Sequence, residues 1–162
     1  TIENYMRFFA RKFALKSTSL RISNPYGTRQ NPHKRQGIIP IFLRHVLGGE
    51  ALTVMGDGSM FRDYIYVGDF ASIVSTMIER GATRSIYNIG SGRGTSVNDI
   101  VASIRRVTGT DPEIQYVPTP STYVHGSVLN TERVNREFGP FEMTTLDQGI
   151  AKTWQEIQAH GY

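Results

Sequence analysis

At 162 residues the chain is long enough for one ordinary domain with its own core. With 39% hydrophobic and 20% charged residues it reads as soluble and globular rather than disordered, and no apolar run approaches the roughly 18 residues of a membrane span. The lack of cysteine excludes a disulfide framework and a thiolate metal site, as suits a cytoplasmic protein, while a formal charge of +4 admits an anionic partner.

The chain opens at Thr1 on what reads as a helix interior, so the expectation is a piece of something longer. Ile2, Tyr5, Met6, Phe9 and Phe13 recur at helical spacing and predict an amphipathic helix over 2–15. Its densest basic group, Arg7, Arg11, Lys12 and Lys16, fits a solvated helix face. Basic residues elsewhere are scattered and not interleaved with aromatics, so no nucleic-acid surface is expected.

Ser19 to Ile22 reads as a short strand that ends in a turn at Asn24-Pro25-Tyr26-Gly27. The polar residues 28–36 form a loop, and a second helix runs from Ile38 to Leu47 with Pro40 in its first turn and Gly48-Gly49 closing it. Leu52 to Met55 is a strand, Gly56-Asp57-Gly58 a tight turn, and Tyr64 to Val67 another extended run. Asp69 is placed to cap a helix carrying Phe70, Ile73, Val74, Met77 and Ile78, which stops at Gly81.

Ile86 to Ile89 is a strand leading to the turn Gly90-Ser91-Gly92-Arg93-Gly94. A helix capped near Ser96 follows, with Val97, Ile100, Val101, Ile104 and Val107 inward. Ile114 to Val117 is one more strand, and a short helix covers about 131–138. The last helix starts at Thr145, with Gln148 completing a capping box, and buries Leu146, Ile150, Trp154 and Ile157. Strands alternating with helices indicate an α/β fold, in an order too irregular for a complete doubly wound sheet.

Chemistry concentrates around Arg62. It follows a glycine-rich turn and opens an apolar strand, so its guanidinium emerges at a strand end, where a planar fork of donors suits a phosphate. The competing reading is a structural ion pair with Asp57, Asp63 or Asp69. Four segments set Arg62 in a wider pattern: Leu20-Arg21-Ile22-Ser23-Asn24-Pro25-Tyr26-Gly27, Gly37-Ile38-Ile39-Pro40-Ile41-Phe42, Leu52 through Asp69, and Tyr87-Asn88-Ile89-Gly90-Ser91-Gly92 with Ser96-Val97 after it.

In that order and spacing they resemble the extended short-chain dehydrogenase/reductases, in particular the UDP-glucose 4-epimerase-like group of NAD-dependent epimerases and dehydratases. The resemblance runs from about Thr1 to Trp154. It implies the C-terminal, substrate-binding portion of an extended Rossmann-type enzyme, with the last helix and strand of the parallel sheet but without the dinucleotide-binding first half. Residues 1–36 would end the Rossmann-type domain and carry a substrate loop, and 37–162 would form a substrate-binding α/β domain.

Residue by residue, the resemblance implies that Asn24 bonds the substrate's phosphate or sugar and that Gly37 and Ile38 offer backbone groups to it at a helix N-terminus. Thr53 and Met55 would flank the nucleobase, largely through the backbone, and Arg62 would clamp the diphosphate. Pro25 and Tyr26 would lie against the nicotinamide end of NAD, and Arg21 would anchor the loop. Asn24 as a simple turn cap and Met55 as ordinary core are the plainer alternatives. A nucleotide-sugar substrate, NAD as cofactor and a homodimer are the implied partners.

Two departures stand beside the resemblance. The family's catalytic Tyr-x-x-x-Lys and Gly-x-x-Gly-x-x-Gly motifs do not occur here, so no catalytic residue is assigned to this chain. A further diphosphate-binding arginine is expected before the short helix, yet Pro118 to Gly126 contains none. Gly90-x-Gly-x-Gly94 mimics a dinucleotide fingerprint but lacks the third glycine at the right offset, and reads as a structural turn. The four histidines show no metal-ligand spacing, and no nucleophile elbow surrounds Ser91 or Ser127.

Overall fold

The computed structural model describes residues 2–31, 33 and 36–160, so Pro32, Lys34 and Arg35 of the polar loop lie outside the described residues. Helix α1 (Ile2–Phe13) is strongly amphipathic and buries no residue. It ends where Ala14 turns to a left-handed φ of 53°, and Glu3 ties it to the body by a two-pronged pair with Arg21, at 2.7 and 2.9 Å. Arg21 therefore anchors the helix rather than the loop. Strand β1 (Ser19–Ile22) pairs in parallel with β5 (Ile86–Ile89).

Asn24 to Tyr26 is a strand, not the expected turn. This β2 (Asn24–Tyr26) pairs in parallel with β4 (Phe61–Tyr66), Asn24 opposite Tyr64 and Tyr26 opposite Tyr66. Pro25 is tolerated because β2 lies at an edge of its sheet, where the missing N–H breaks no central ladder. β4 also begins three residues earlier than its apolar run suggests. Its first half pairs with two short strands that carry no periodic signal, β6 (Gly94–Ser96, antiparallel) and β8 (Gly126–Ser127, parallel).

β3 (Leu52–Met55) pairs in parallel with β7 (Ile114–Val117) as a separate two-stranded sheet. Helices α2 (Ile38–Gly48), α3 (Val67–Arg80), α4 (Val97–Thr108), α5 (Glu132–Phe138) and α6 (Leu146–His160) complete the chain. α3 starts at Val67, so Asp69 is not its cap. Instead Asp69 sits in the first turn and accepts from the N–H (2.8 Å) and hydroxyl (2.7 Å) of Thr144.

α4 follows its sequence pattern closely. Ser96 and Asp99 form a reciprocal capping box, and Val97, Ile100, Val101 and Ile104 are buried. They join Leu43, Leu52, Val54, Ile150 and Ile157 in the larger core cluster, which packs α2, α4 and α6 on β3. A second cluster, with Ile65, Ile73, Met77, Tyr87, Ile89, Val134 and Phe138, seats α3 and α5 on β4 and β5. Strands from both sides of position 36 share sheets.

Candidate substrate-binding site

Arg62 occupies the second position of β4, half-buried. The turn before it is tied down locally. Asp57 accepts from the N–H (2.9 Å) and hydroxyl (2.6 Å) of Ser59, bonds that hold its carboxyl below the usual carboxylate range. Asn98, in the first turn of α4, donates to the Asp57 carbonyl at 3.0 Å. The turn is thus closed by local bonds and held to the start of α4 by one long-range bond.

Of the two readings of Arg62, the ion pair finds no support. Its guanidinium donates to the carbonyls of Phe61 (2.7 Å) and Val124 (2.7 Å), with longer contacts to the His125 carbonyl (3.4 Å) and Met60 Sδ (3.5 Å). Asp57, Asp63 and Asp69 are each engaged by hydroxyl and amide donors instead. Among the described residues Arg62 therefore has no carboxylate partner, and its guanidinium at the mouth of β4 is aligned by neutral acceptors.

Asp63 is the residue that the sequence reading underrated. It is 1% exposed, and its carboxylate accepts from Ser91 N–H (2.8 Å), the Ser91 hydroxyl (2.7 Å), Gly92 N–H (3.2 Å) and Leu129 N–H (3.3 Å). A buried carboxylate must gather such donors to offset its lost hydration. Gly90 makes room for it, since a Cβ there would collide with the Asp63 carboxylate. Its signal in the sequence is an acidic residue directly before the apolar run Tyr64 to Tyr66, followed later by a Gly-Ser-Gly turn. Asp63 also explains the false dinucleotide fingerprint, because the amides that would cradle a phosphate already bind this carboxylate.

Asn24 lies beside this segment. Its side-chain N–H donates to the Asp63 carbonyl at 2.9 Å while the residue stays exposed, so it pins β2 to β4. Pro25 is exposed, whereas Tyr26 is 5% exposed and packs edge-on against Tyr64 and Tyr66. Burial also pushes the Tyr26 hydroxyl well above its ordinary pKa. Any contact of Tyr26 with a cofactor falls to its backbone, not its ring.

Gly37 caps α2 with a φ of 89° and no side-chain bond, so the first-turn N–H groups around Gly37 and Ile38 point out of the helix end. On β3, Leu52 and Val54 face the core while Thr53 and Met55 face outward. Met55 is 38% exposed and is not core. Asn24 and Arg62 are thus brought together by β2 and β4, while Thr53 and Met55 lie in another sheet and Gly37 and Ile38 on a helix end. Cavities of about 750 and 830 Å³ lie elsewhere, lined around Arg21 and Arg133 and around Leu20 and Met77.

Comparison with known proteins decides the family. Residues 1–90 match the model of the NAD dependent epimerase/dehydratase family. The chain belongs to that family. A UDP-glucose 4-epimerase from Thermotoga maritima, solved with UDP-glucose, superposes with a TM-score of 0.89 at 34% identity, over 99% of this chain and 52% of that one. The Thermus thermophilus UDP-glucose 4-epimerase, solved with NAD, gives a TM-score of 0.83 at 30% identity, over 96% and 51%. A dTDP-4-dehydro-6-deoxyglucose reductase from Escherichia coli is 33% identical over 96% of this chain and 49% of its own length. The chain spans about half the length of the curated relatives it matches.

The fold is that of part of an extended Rossmann-type epimerase, and NAD is the family's cofactor. The described residues fit NAD poorly on their own. The glycine-rich loop between β5 and β6 has given its Ser91 and Gly92 amides to Asp63, and Tyr26 has its ring in the core. Pro25 beside it is exposed.

Proposed function

We infer that this chain is the nucleotide-sugar-holding portion of an NAD-dependent 4-epimerase acting on a UDP-sugar. Arg62 carries that reading: a half-buried guanidinium at a strand mouth, aligned by carbonyls and without a carboxylate partner among the described residues, is suited to meet an anion. The likeness to an epimerase solved with UDP-glucose supports UDP as the nucleotide. In the whole enzyme NAD supplies hydride acceptance and return. This chain's residues orient the sugar and neutralise its phosphates, Asn24 and Arg62 from the paired strands, Gly37 and Ile38 from the α2 terminus. Thr53 and Met55 flank the base from β3, and Pro25 with the Tyr26 backbone borders the nicotinamide. By itself the chain binds without turnover.

The deciding measurement is a calorimetric titration with UDP-glucose. In the full-length enzyme Arg62→Ala is expected to weaken binding by about 2–3 kcal/mol, the scale of a charged hydrogen bond. Unchanged affinity removes Arg62 from the site, and a chain that gives no heat with any nucleotide sugar is a structural or partner-binding module instead.

The dTDP-sugar reductase and dTDP-glucose 4,6-dehydratase relatives favour a second reading, a dehydratase or decarboxylase of the same family. Tighter binding of dTDP than of UDP would select it. The outward aromatic face of α1, with Tyr5, Phe8, Phe9 and Phe13 exposed, supports a homodimer. Sedimentation equilibrium showing a monomer at every concentration would end that part of the reading.

A further inference from the structure

Arg62 has five N–H groups, and four of them already face acceptors. The Nη1 pair faces the carbonyls of Phe61 (2.7 Å) and His125 (3.4 Å), and the Nη2 pair faces the carbonyl of Val124 (2.7 Å) and Met60 Sδ (3.5 Å). Only Nε–H is left without an acceptor among the described residues. A guanidinium grips a phosphate through two parallel N–H groups, so in this arrangement Arg62 cannot hold one bidentately without letting go of something.

What it lets go of follows from the bonds' origins. The Phe61 carbonyl is Arg62's own neighbour and moves with it. Val124 and His125 belong to residues 118–125, which link β7 to β8 and are exposed throughout. That segment has few other holds on the mouth of β4. His125 accepts from Phe61 N–H at 3.1 Å and sets its ring edge-on to the Phe61 ring at 5.6 Å, while the Tyr123 N–H to Pro120 carbonyl bond is internal to the segment. The short Arg62 bond to Val124, with the longer one to His125, is its charge-assisted tie among the described residues.

The geometry points to a latch. Arg62 holds residues 118–125 against the mouth of β4, and the diphosphate of a bound nucleotide competes with the Val124 and His125 carbonyls for the same N–H groups. Binding therefore loosens the segment, and by reciprocity the closed segment lowers affinity for the ligand. This rests on reading Arg62 as the diphosphate-holding residue. The segment where relatives of this family are expected to carry a second arginine would here contribute carbonyls that restrain the first.

Hydrogen exchange of the peptide covering residues 122–128 tests both halves. Arg62→Ala without ligand should speed its exchange about tenfold, the loss of one hydrogen bond, while α4 keeps its protection. Unchanged exchange in that variant overturns the latch. If α4 also loses protection, Arg62→Lys, which retains the charge but not the fork, replaces it and must still speed exchange of the segment alone. Saturating UDP on the unaltered chain should speed exchange likewise; binding seen by calorimetry with an unchanged segment overturns the competition. If UDP does not bind, the assignment of Arg62 to a diphosphate fails, while the ligand-free variants still decide whether it holds the segment.

Discussion

Helices α1 and α4 are each twelve residues long and each carries a regular apolar stripe, yet they sit in opposite surroundings. The α4 stripe is covered by α6 and β3, with Ile100 and Ile104 fully buried. The α1 stripe faces solvent, with Ile2 79% and Phe13 59% exposed, and the helix is held mainly through Glu3 and Arg21. Amphipathicity dictates that a helix has a face. Only the rest of the fold dictates whether anything lies against it. The difference extends to the polar groups, since β4 beside α4 buries a carboxylate with every partner supplied, whereas α1 offers charge to water.

Perturbing each side should give sharply unequal results. The largest effect is expected at Asp63→Ala, which strands the Ser91, Gly92 and Leu129 donors and should cost about 3–5 kcal/mol in urea denaturation. Ile104→Ala, at a fully buried position of α4, should cost about 3 kcal/mol by the same measurement. A loss below 1 kcal/mol at either position would mean that the α4 side is no better packed than α1.

Ser96→Ala, which removes the α4 cap, should cost about 1 kcal/mol at neutral pH. The Ser96 bonds hold Asp99 below the usual carboxylate range. A folded pKa below the unfolded one means the stabilisation is whole above about pH 4 and fades as pH falls through the folded value. The difference between Ser96→Ala and the parent should therefore shrink in acid, and a constant difference would refute the coupling. Phe9→Ala should cost under about 0.5 kcal/mol where the chain is monomeric. A penalty that grows with protein concentration would show that a second copy covers α1.

The same contrast explains what could be read from the residues alone. The α4 cap and stripe are local, spaced within a few residues of one another, so Ser96 and Ile104 are legible in the sequence, whereas the Asp99 half of the capping box is seen only in the structure. The helix α6 capping box was legible for the same reason, and Thr145 and Gln148 do exchange backbone and side-chain bonds. Asn24-Pro25-Tyr26 misled because turn residues also suit an edge strand, and its partner β4 is far away in sequence. Asp69 looked like a cap because its partner, Thr144, lies 75 residues on. β6 and β8 are three and two residues long, too short for any period to register. Within the candidate site, Arg62 stood out by its turn and strand, while the role of Asp63 depends on amides from two distant loops.

Asp63 also bears on how the chain reaches this state. Its bonds span 28 residues to Ser91 and 66 to Leu129, and its carbonyl reaches 39 residues back to Asn24. Each closure costs chain entropy before any bond forms. Helices α4 and α6 are each capped by bonds within a few residues, so the helices themselves are the natural early elements, and the mouth of β4 is assembled last. Mutations at Asp63 should then accelerate unfolding and leave the refolding rate nearly unchanged. The mouth of β4 is thus the last part of this fold to exist and the first to come apart.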